Sequence, residues 1–227
     1  MRRPGGSQIA SPQTELVLTI GGIHILHRRD MQPNQPSPPI AALMLAAGYS
    51  RRFGADKRRL VLADGRSLLA ASLALPCSML EDVWLVLRPD EALTELELPQ
   101  GVHIVQNPAT AQGMGHSLAA GAERLLAESR AAAVAIFLAD MPSIRRHSIE
   151  ALMACAAPDR IVLPSYQGKR GHPVLFGRRF WAQLAELSGD TGARPVIQRN
   201  PDAVQILELD DPGLLLDVDT AEDWQRL

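Results

Sequence analysis

The fold of this chain is decided by the stretch IAALMLAAGYSRRFGADK, which spans residues 40–57. Its apolar run ends at Gly48, and a short loop of small residues and arginine follows, which Lys57 closes. An unbroken apolar run indicates a strand that is buried on both faces. Backbone N–H groups in a glycine-containing loop after such a strand can point at phosphate oxygens, and basic side chains supply positive charge. The stretch therefore predicts a strand that leads into a polyphosphate-binding loop. The alternative is a simple turn with a solvated basic rim.

Strand-like and helix-like segments alternate along the rest of the chain. The predicted strands are residues 40–46, 82–87, 102–106, 133–138, 160–164, 173–176, 204–209 and 214–218. The predicted helices are residues 67–75, 116–129, 146–156, 178–187 and 221–227. This alternation predicts an α/β fold with a mostly parallel sheet that is covered on both faces. Ligands bind such sheets at the carboxyl ends of the strands, so that is where we expect the site.

The first part of the chain lacks this pattern. Residues 1–38 show no sustained periodicity, and the proline-rich segment QPNQPSPP occupies residues 32–39. Such a segment cannot continue a helix or a central strand. We expect residues 1–38 to be a disordered or loosely attached leader and residues 39–227 to form the folded domain.

The composition excludes several classes of function. Apolar residues make up 46% of the 227 residues but aromatic residues only 4%, so the core must be built from aliphatic side chains. The net charge of −2 argues against a nucleic-acid binder, whereas the local excess of basic residues between positions 51 and 59 suits a small anionic ligand. Cys77 and Cys155 form neither a disulfide framework nor a zinc site. No segment has the length and apolarity of a membrane span, so we expect a cytoplasmic protein with no membrane partner.

Two segments place polar groups where the predicted fold would present them to a ligand. The segment QGMGHSL, residues 112–118, sets glycines and Ser117 at the start of a long helix, where free N–H groups and the helix dipole favour polar ligand atoms. The alternative for Ser117 is a role near the helix cap. The glycines of GKRGHPVLF, residues 168–176, would let the backbone approach a flat ligand, which Arg170 and His172 can contact. The alternative there is a hairpin loop with solvated charges.

Carboxylates follow two of the predicted strands. Asp140 ends the apolar strand before Met141-Pro142, and Asp217 and Asp219 alternate onto one face of the predicted strand 214–218. Mg²⁺ is typically held by one or two carboxylates together with substrate phosphate oxygens. One of the late aspartates can then share a cation with Asp140. The alternatives are a turn cap for Asp140 and a helix N-cap for Asp219.

Taken in order, these segments resemble those of a known enzyme family. The loop lacks the glycine spacing of the P-loop and of the dinucleotide fold, but LAAGYSRRFGADK is similar to the signature of the MobA-like NTP transferases, the molybdopterin nucleotidyltransferases. The resemblance extends over about residues 40–227. It implies a Rossmann-like three-layer α/β sandwich of the glycosyltransferase-A or nucleotide-diphospho-sugar transferase type.

The resemblance also implies roles for individual residues. The implied nucleotide-binding residues are Leu45, Ala46, Ala47, Gly48, Ser50, Arg51, Arg52, Lys57, Gly113, Gly115 and Ser117. The implied acceptor-binding residues are Arg170, Gly171, His172, Pro173 and Asp190. The implied catalytic residues are Lys57, Asp140 and Asp219, of which the two aspartates hold Mg²⁺.

The loop resembles in particular that of the family members that use CTP, because Ala47 stands where the members that use GTP carry a second glycine. This implies transfer of CMP from CTP to a molybdopterin-type acceptor with release of pyrophosphate, and a client molybdoenzyme as a further partner. Two alternatives remain open at this stage. One is a nucleotidyltransferase with a different substrate pair, which uses GTP with molybdopterin or transfers a nucleotide to a sugar phosphate. The other is a nucleotide-binding protein that delivers a cofactor.

Overall fold

The computed structural model describes residues 18–20, 23–27, 38–49, 56–218 and 223. The strands are β1 (Leu18–Ile20), β2 (Ile23–His27), β3 (Ile40–Leu45), β4 (Asp82–Leu87), β5 (His103–Gln106), β6 (Ala133–Leu138), β7 (Ile161–Tyr166), β8 (Lys169–Arg170), β9 (Val174–Gly177) and β10 (Val204–Glu208). The α-helices are α1 (Leu68–Met79), α2 (Met114–Glu128), α3 (Arg146–Ala154), α4 (Trp181–Ala185) and α5 (Arg194–Arg199). Short 3-10 helices lie at Lys57–Arg59, Leu93–Glu95, Pro108–Gln112, Arg178–Phe180, Pro201–Ala203 and Pro212–Leu214.

These strands form one ten-stranded sheet in the order β1-β2-β10-β7-β9-β6-β3-β4-β5, with β8 paired to β7. Parallel pairing joins β6 to β3, β3 to β4 and β4 to β5, and also β7 to β10. Strand β9 runs antiparallel between β6 and β7. Because β3 and β6 are parallel neighbours, the segments that follow them emerge side by side at one edge of the sheet, where ligands bind such folds.

Side chains alternate between two hydrophobic clusters, one on each face of the sheet. In β3, Ala42 and Met44 belong to one cluster, and Ala41 and Leu43 belong to the other. Leucines of α1 and α3 complete the first cluster, and leucines of α2 and α4 complete the second. This period of two on a doubly covered strand is what makes β3 apolar throughout. The mixed, mostly parallel sheet with helices on both faces confirms the predicted fold class.

Most of the predicted elements are present, and three differ. Residues 214–218 are not a strand, because Asp211 accepts a hydrogen bond from the Gly213 N–H and a 3-10 turn forms over Pro212–Leu214. The predicted helix 178–187 is a 3-10 turn followed by the short helix α4, and α5 was not predicted. The predicted helix 67–75 continues to Met79, with Pro76 inside it. The predicted helix 221–227 lies outside the described residues except for residue 223.

Two strands lie within the predicted leader. Strand β2 pairs with β10 in parallel, from the pair His24 and Gln205 to the pair His27 and Glu208, and β1 forms an antiparallel ladder with β2. Residues 18–20 and 23–27 are thus paired with the sheet. That residues 1–38 form a leader separate from a folded domain over residues 39–227 stays a prediction.

Candidate active site

A cavity of about 500 Å³ opens at the carboxyl ends of β3 and β6. It is bounded by the strand ends, by the 3-10 turn after the phosphate loop and by the start of α2. Its lining consists of residues 45–49, 57–58, 110–114, 117, 138–140 and 190. This volume is within the usual range for small-molecule sites. The cavity thus brings residues predicted to bind the nucleotide, such as Gly48 and Ser117, together with the predicted metal ligand Asp140 and the predicted acceptor residue Asp190.

An ion pair lies at one side of this cavity. The Lys57 Nζ donates to Asp140 Oδ2 at 2.7 Å and to the Val218 carbonyl oxygen at 2.9 Å. The Val218 N–H in turn donates to the Asp140 carbonyl oxygen at 3.0 Å, so the late segment is attached directly to the end of β6. Only 14% of the Lys57 side chain and 20% of the Asp140 side chain are exposed, which limits solvent screening of the pair. The structure therefore brings two of the three predicted catalytic residues into contact.

The phosphate loop is held at both ends by arginines. The Arg58 Nη1 donates to the Ala46 carbonyl oxygen at 2.8 Å, and the Arg88 Nη2 donates to the Gly48 carbonyl oxygen at 2.5 Å. Both guanidinium groups also bind the Asp56 carboxylate. Burial by itself raises the pKa of Asp56, but hydrogen bonds and charges of Arg58 and Arg88 outweigh it and hold the pKa below its ordinary value.

These contacts change the interpretation of the basic segment. Arg58 is buried and bound by Asp56 and Glu91, and Arg59 pairs with Glu91 and Glu95. Both guanidinium groups are therefore paired with carboxylates of the protein itself, and their main contacts in the structure are within this network. The predicted ligand-binding residues Ser50, Arg51 and Arg52 lie outside the described residues.

The glycines before α2 are required by close packing. The Gly113 backbone has a φ of +133°, and a Cβ there would lie 2.3 Å from Asp190 Oδ1. The Gly115 N–H donates to the Gly189 carbonyl oxygen at 2.7 Å, and a Cβ at Gly115 would lie 2.8 Å from that oxygen. Gly113, Ser117 and Asp190 line the cavity, whereas Gly115 is bound to the neighbouring loop. Asp190, predicted on the acceptor side, thus lies beside the residues predicted for the nucleotide.

The remaining residues predicted on the acceptor side lie on β8 and in the connection from β8 to β9. Strands β7 and β8 are joined by Gln167 and Gly168, which have φ values of +50° and +76°, as a two-residue hairpin turn requires. Arg170 is exposed on β8, which agrees with the hairpin alternative. A Cβ at Gly171 would lie 2.2 Å from the Leu214 carbonyl oxygen, so only glycine fits there. The His172–Pro173 peptide bond is cis.

His172 lies close to Asp140. Its backbone N–H donates to the Leu214 carbonyl oxygen at 2.9 Å, and β9, which starts at Val174, pairs with β6 just before Asp140. Burial lowers the pKa of His172 below its ordinary value, and the charges of Asp140 and Asp217 only partly oppose this shift. The imidazole is therefore neutral near pH 7, which argues against His172 as a cationic phosphate ligand.

Comparison with known proteins identifies the family. The family model for the MobA-like NTP transferase domain matches residues 42–204. The chain belongs to this family. Among curated MobA-like relatives, the purine catabolism protein PucB of Bacillus subtilis is 32% identical over 204 residues, which cover 84% of this chain and 97% of PucB. A phosphoenolpyruvate guanylyltransferase of Rhodococcus opacus is 30% identical over 210 residues and covers 81% of each chain.

One similar protein of known structure was solved in complex with a metal ion. A protein of Mycobacterium tuberculosis, described as a complex with manganese, is 26% identical and superposes with a TM-score of 0.63. The match covers 83% of this chain and 97% of that one. As a member of the MobA-like family, this chain is a nucleotidyltransferase.

In this MobA-like site, the carboxylate of Asp140 is placed where it can bind a divalent cation. Asp140 Oδ1 is buried and accepts no hydrogen bond from the described residues, so one carboxylate oxygen remains for a ligand. The described part of the chain contains no group of three or more His, Cys, Asp or Glu that could hold a metal. Asp219 lies outside the described residues, and Val218, which precedes it, is bonded to Asp140. A site that uses one or two carboxylates and substrate oxygens fits Mg²⁺ better than a site made of protein ligands alone.

Sequence reasoning missed one polar residue that organises this region. Asp211 is fully buried and accepts hydrogen bonds from the N–H groups of Arg145 and Gly213 and from the Ser148 hydroxyl, at 2.7–2.9 Å. It therefore joins the segment after β6 to the segment after β10. The Asp-Pro-Gly sequence at 211–213 is a turn signal that could have indicated this contact.

None of the helices in the described ranges is long and apolar enough to span a membrane.

Proposed function

We propose that this protein transfers CMP from CTP to a molybdopterin-type acceptor and releases pyrophosphate. The observation that carries the proposal is the Lys57–Asp140 ion pair, at 2.7 Å, in a cavity whose wall begins with the phosphate-loop residues Leu45–Tyr49. A lysine and a carboxylate at the ends of parallel strands supply what a triphosphate and its cation require: positive charge for the phosphate oxygens and an oxygen ligand for the metal.

Each residue has a distinct part in this reaction. Lys57 binds the triphosphate and offsets its charge. Asp140 and Asp219 would hold Mg²⁺, which when bound would neutralise charge on the phosphate oxygens. A terminal phosphate oxygen of the acceptor attacks the α-phosphorus of CTP, the bond from that phosphorus to the bridging oxygen breaks, and pyrophosphate leaves. No covalent protein nucleophile is required, because positioning and electrostatic stabilisation carry the transfer.

The choice of CTP is supported by the strand-end turn. Ala47 lines the cavity and is only 4% exposed, so its methyl group occupies space that a second glycine would leave open. A smaller pocket suits a pyrimidine better than a purine. This supports CTP over GTP and agrees with the similarity of the loop to those of the CTP-using members.

A second candidate is favoured by one relative. The Rhodococcus opacus protein is named for guanylyl transfer to phosphoenolpyruvate, a small phosphorylated acid. Its similarity extends over 81% of this chain, so the same site can serve a different base and a different acceptor. The third possibility, a protein that delivers a cofactor to a molybdoenzyme in the cytoplasm, predicts binding without turnover.

One assay separates these functions. Pyrophosphate release is measured with each of the four NTPs, in the presence of molybdopterin, of phosphoenolpyruvate or of no acceptor, and with Mg²⁺ or EDTA. We expect release only with molybdopterin, with the highest kcat/KM for CTP, and none with EDTA. A higher kcat/KM for GTP with phosphoenolpyruvate would replace our assignment by the second candidate. Nucleotide binding without pyrophosphate under any condition would favour the delivery role.

A further inference from the structure

We propose that Arg88 is a positioning residue that fixes the two ends of the phosphate-binding turn, Gly48 and Asp56, relative to each other. The inference rests on the proposed function to the extent that a polyphosphate occupies the cavity. Arg88 follows directly after β4, on the strand that neighbours β3 in the sheet. It touches the turn from outside and is not among the residues that line the cavity. Its effect on a ligand must therefore pass through the residues that it holds.

Arg88 binds the turn at two points that are eight positions apart in the sequence. Its Nη2 donates to the Gly48 carbonyl oxygen at 2.5 Å, and its Nη1 donates to Asp56 Oδ2 at 3.0 Å. The guanidinium carbon also lies 4.7 Å from the centroid of the Tyr49 ring, within the range of a cation–π contact. One planar group thus fixes the residues before the loop, Gly48 and Tyr49, relative to the residue after it, Asp56.

The residues around Arg88 are themselves fixed by hydrogen bonds, which favours a geometric role for its guanidinium. Asp56 is shared with Arg58, which also binds Glu91, and the Gln106 Nε2 donates to the carbonyl oxygens of Arg88 and Glu91 at 3.1 and 2.9 Å. An unpaired carbonyl oxygen repels a polyphosphate, whereas a carbonyl oxygen that is bound to a guanidinium does not. Holding the Gly48 oxygen in this way favours a turn that presents N–H groups to phosphate.

Arginine is specifically suited to this position. Its guanidinium forms two hydrogen bonds in fixed directions while one face rests on an aromatic ring. A lysine ammonium keeps the charge, but it has no planar group with which to bind a carbonyl oxygen and a carboxylate in two fixed directions at once. The substitution Arg88→Lys therefore tests geometry at constant charge. Arg66→Lys is a matched control, because Arg66 makes a similar two-nitrogen contact with Asp64 on the surface and lines no cavity.

The test measures binding of CTP, of inorganic tripolyphosphate and of cytidine by calorimetry, together with KM and kcat for CTP. For Arg88→Lys we expect Kd to rise about tenfold for CTP and tripolyphosphate alike, corresponding to the loss of about one charged hydrogen bond. We expect no change for cytidine, an increase in KM that exceeds the fall in kcat, and wild-type values for Arg66→Lys. A purely structural role would lower the melting temperature without this selectivity for phosphate.

A milder variant protects the test against misfolding. Gln106 is exposed, and Gln106→Ala removes the amide that binds the carbonyl oxygens of Arg88 and Glu91 but leaves the Arg88 guanidinium in place, so a smaller Kd increase in the same direction is expected. Unchanged tripolyphosphate and CTP binding in both Arg88→Lys and Gln106→Ala, with the wild type binding both ligands, would overturn this inference alone. Failure of the wild type to bind either ligand would overturn the proposed function and this inference with it.

Discussion

Replacing Asp140 by asparagine is the most direct test of the candidate active site. The substitution preserves the shape of the side chain and removes its charge. The new amide oxygen can still accept a hydrogen bond from Lys57, whose Nζ now lies 2.7 Å from Asp140 Oδ2. What changes is the charge at the two oxygens, one bound to Lys57 and the other buried without a partner among the described residues.

The expected loss of activity follows from this change. Removing one preorganised electrostatic stabiliser typically lowers kcat by about a hundredfold or more, which corresponds to about 2.7 kcal/mol. The effect on folding should be smaller. A hydrogen bond to a charged group becomes one to a neutral group, which costs about 1 kcal/mol at this partly exposed position.

The assay is pyrophosphate release at several Mg²⁺ concentrations, accompanied by urea unfolding. Asp64→Asn is the matched control, since Asp64 is an exposed aspartate that pairs with Arg66 and lies outside the cavity lining. Asp219→Asn should resemble Asp140→Asn, and Asp217→Asn should be milder. Full activity of Asp140→Asn with an unaltered magnesium requirement would show that the carboxylate only caps a turn, and the reasoning from its unpartnered oxygen would be refuted.

Three further predictions concern packing, pH and the start of the chain. Gly115→Ala should lower the free energy of unfolding by about 1–3 kcal/mol, because its Cβ would lie 2.5 Å from the Ser188 carbonyl oxygen; wild-type urea stability would contradict this. Folding lowers the pKa of Asp56 below its ordinary value of 3.8, so the ionised carboxylate stabilises the fold at pH values above 3.8. The free energy of unfolding should decrease as the pH falls through the lower pKa of the folded state, and this decrease should be smaller in Asp56→Asn. Deleting residues 1–38 should lower Tm, since β10 loses β2, one of its two parallel neighbours, but should not lower the rate of pyrophosphate release. A truncated protein that is folded but releases no pyrophosphate would contradict the prediction that the rate is unchanged.

The central strands could be predicted from sequence because they are apolar on both faces. The predictions for β4 and β6 match the structure at both ends, and that for β3 differs by one residue. The prediction of a strand over residues 214–218 was wrong because a local turn overrides the apolar pattern. The run of three leucines before Asp217 resembles the end of an apolar strand, but the hydrogen bonds of Asp211 stabilise a turn that such a pattern does not reveal.

The cavity wall was also largely predictable, whereas its support was not. Leu45, Gly48, Lys57 and Asp140 all line one cavity, as motif order indicated. The contact of Arg58 with Glu91 could not be predicted, because the two residues are 33 positions apart and a buried charge network of that kind has no local signature. The same distance in sequence conceals the contact of Arg88 with the turn. Sequence patterns predict which groups face a ligand more readily than which groups hold them.

The place of β6 in the sheet has a consequence for how this protein can change during evolution. Its parallel neighbour β3 leads into the phosphate-binding turn, whereas its antiparallel neighbour β9 carries the hairpin side of the molecule. Asp140, at the end of β6, is the point at which the two halves meet. Substitutions at the exposed hairpin positions Lys169 and Arg170 can therefore accumulate without disturbing the triphosphate half. A lineage can exchange one acceptor for another while its nucleotide chemistry is inherited intact.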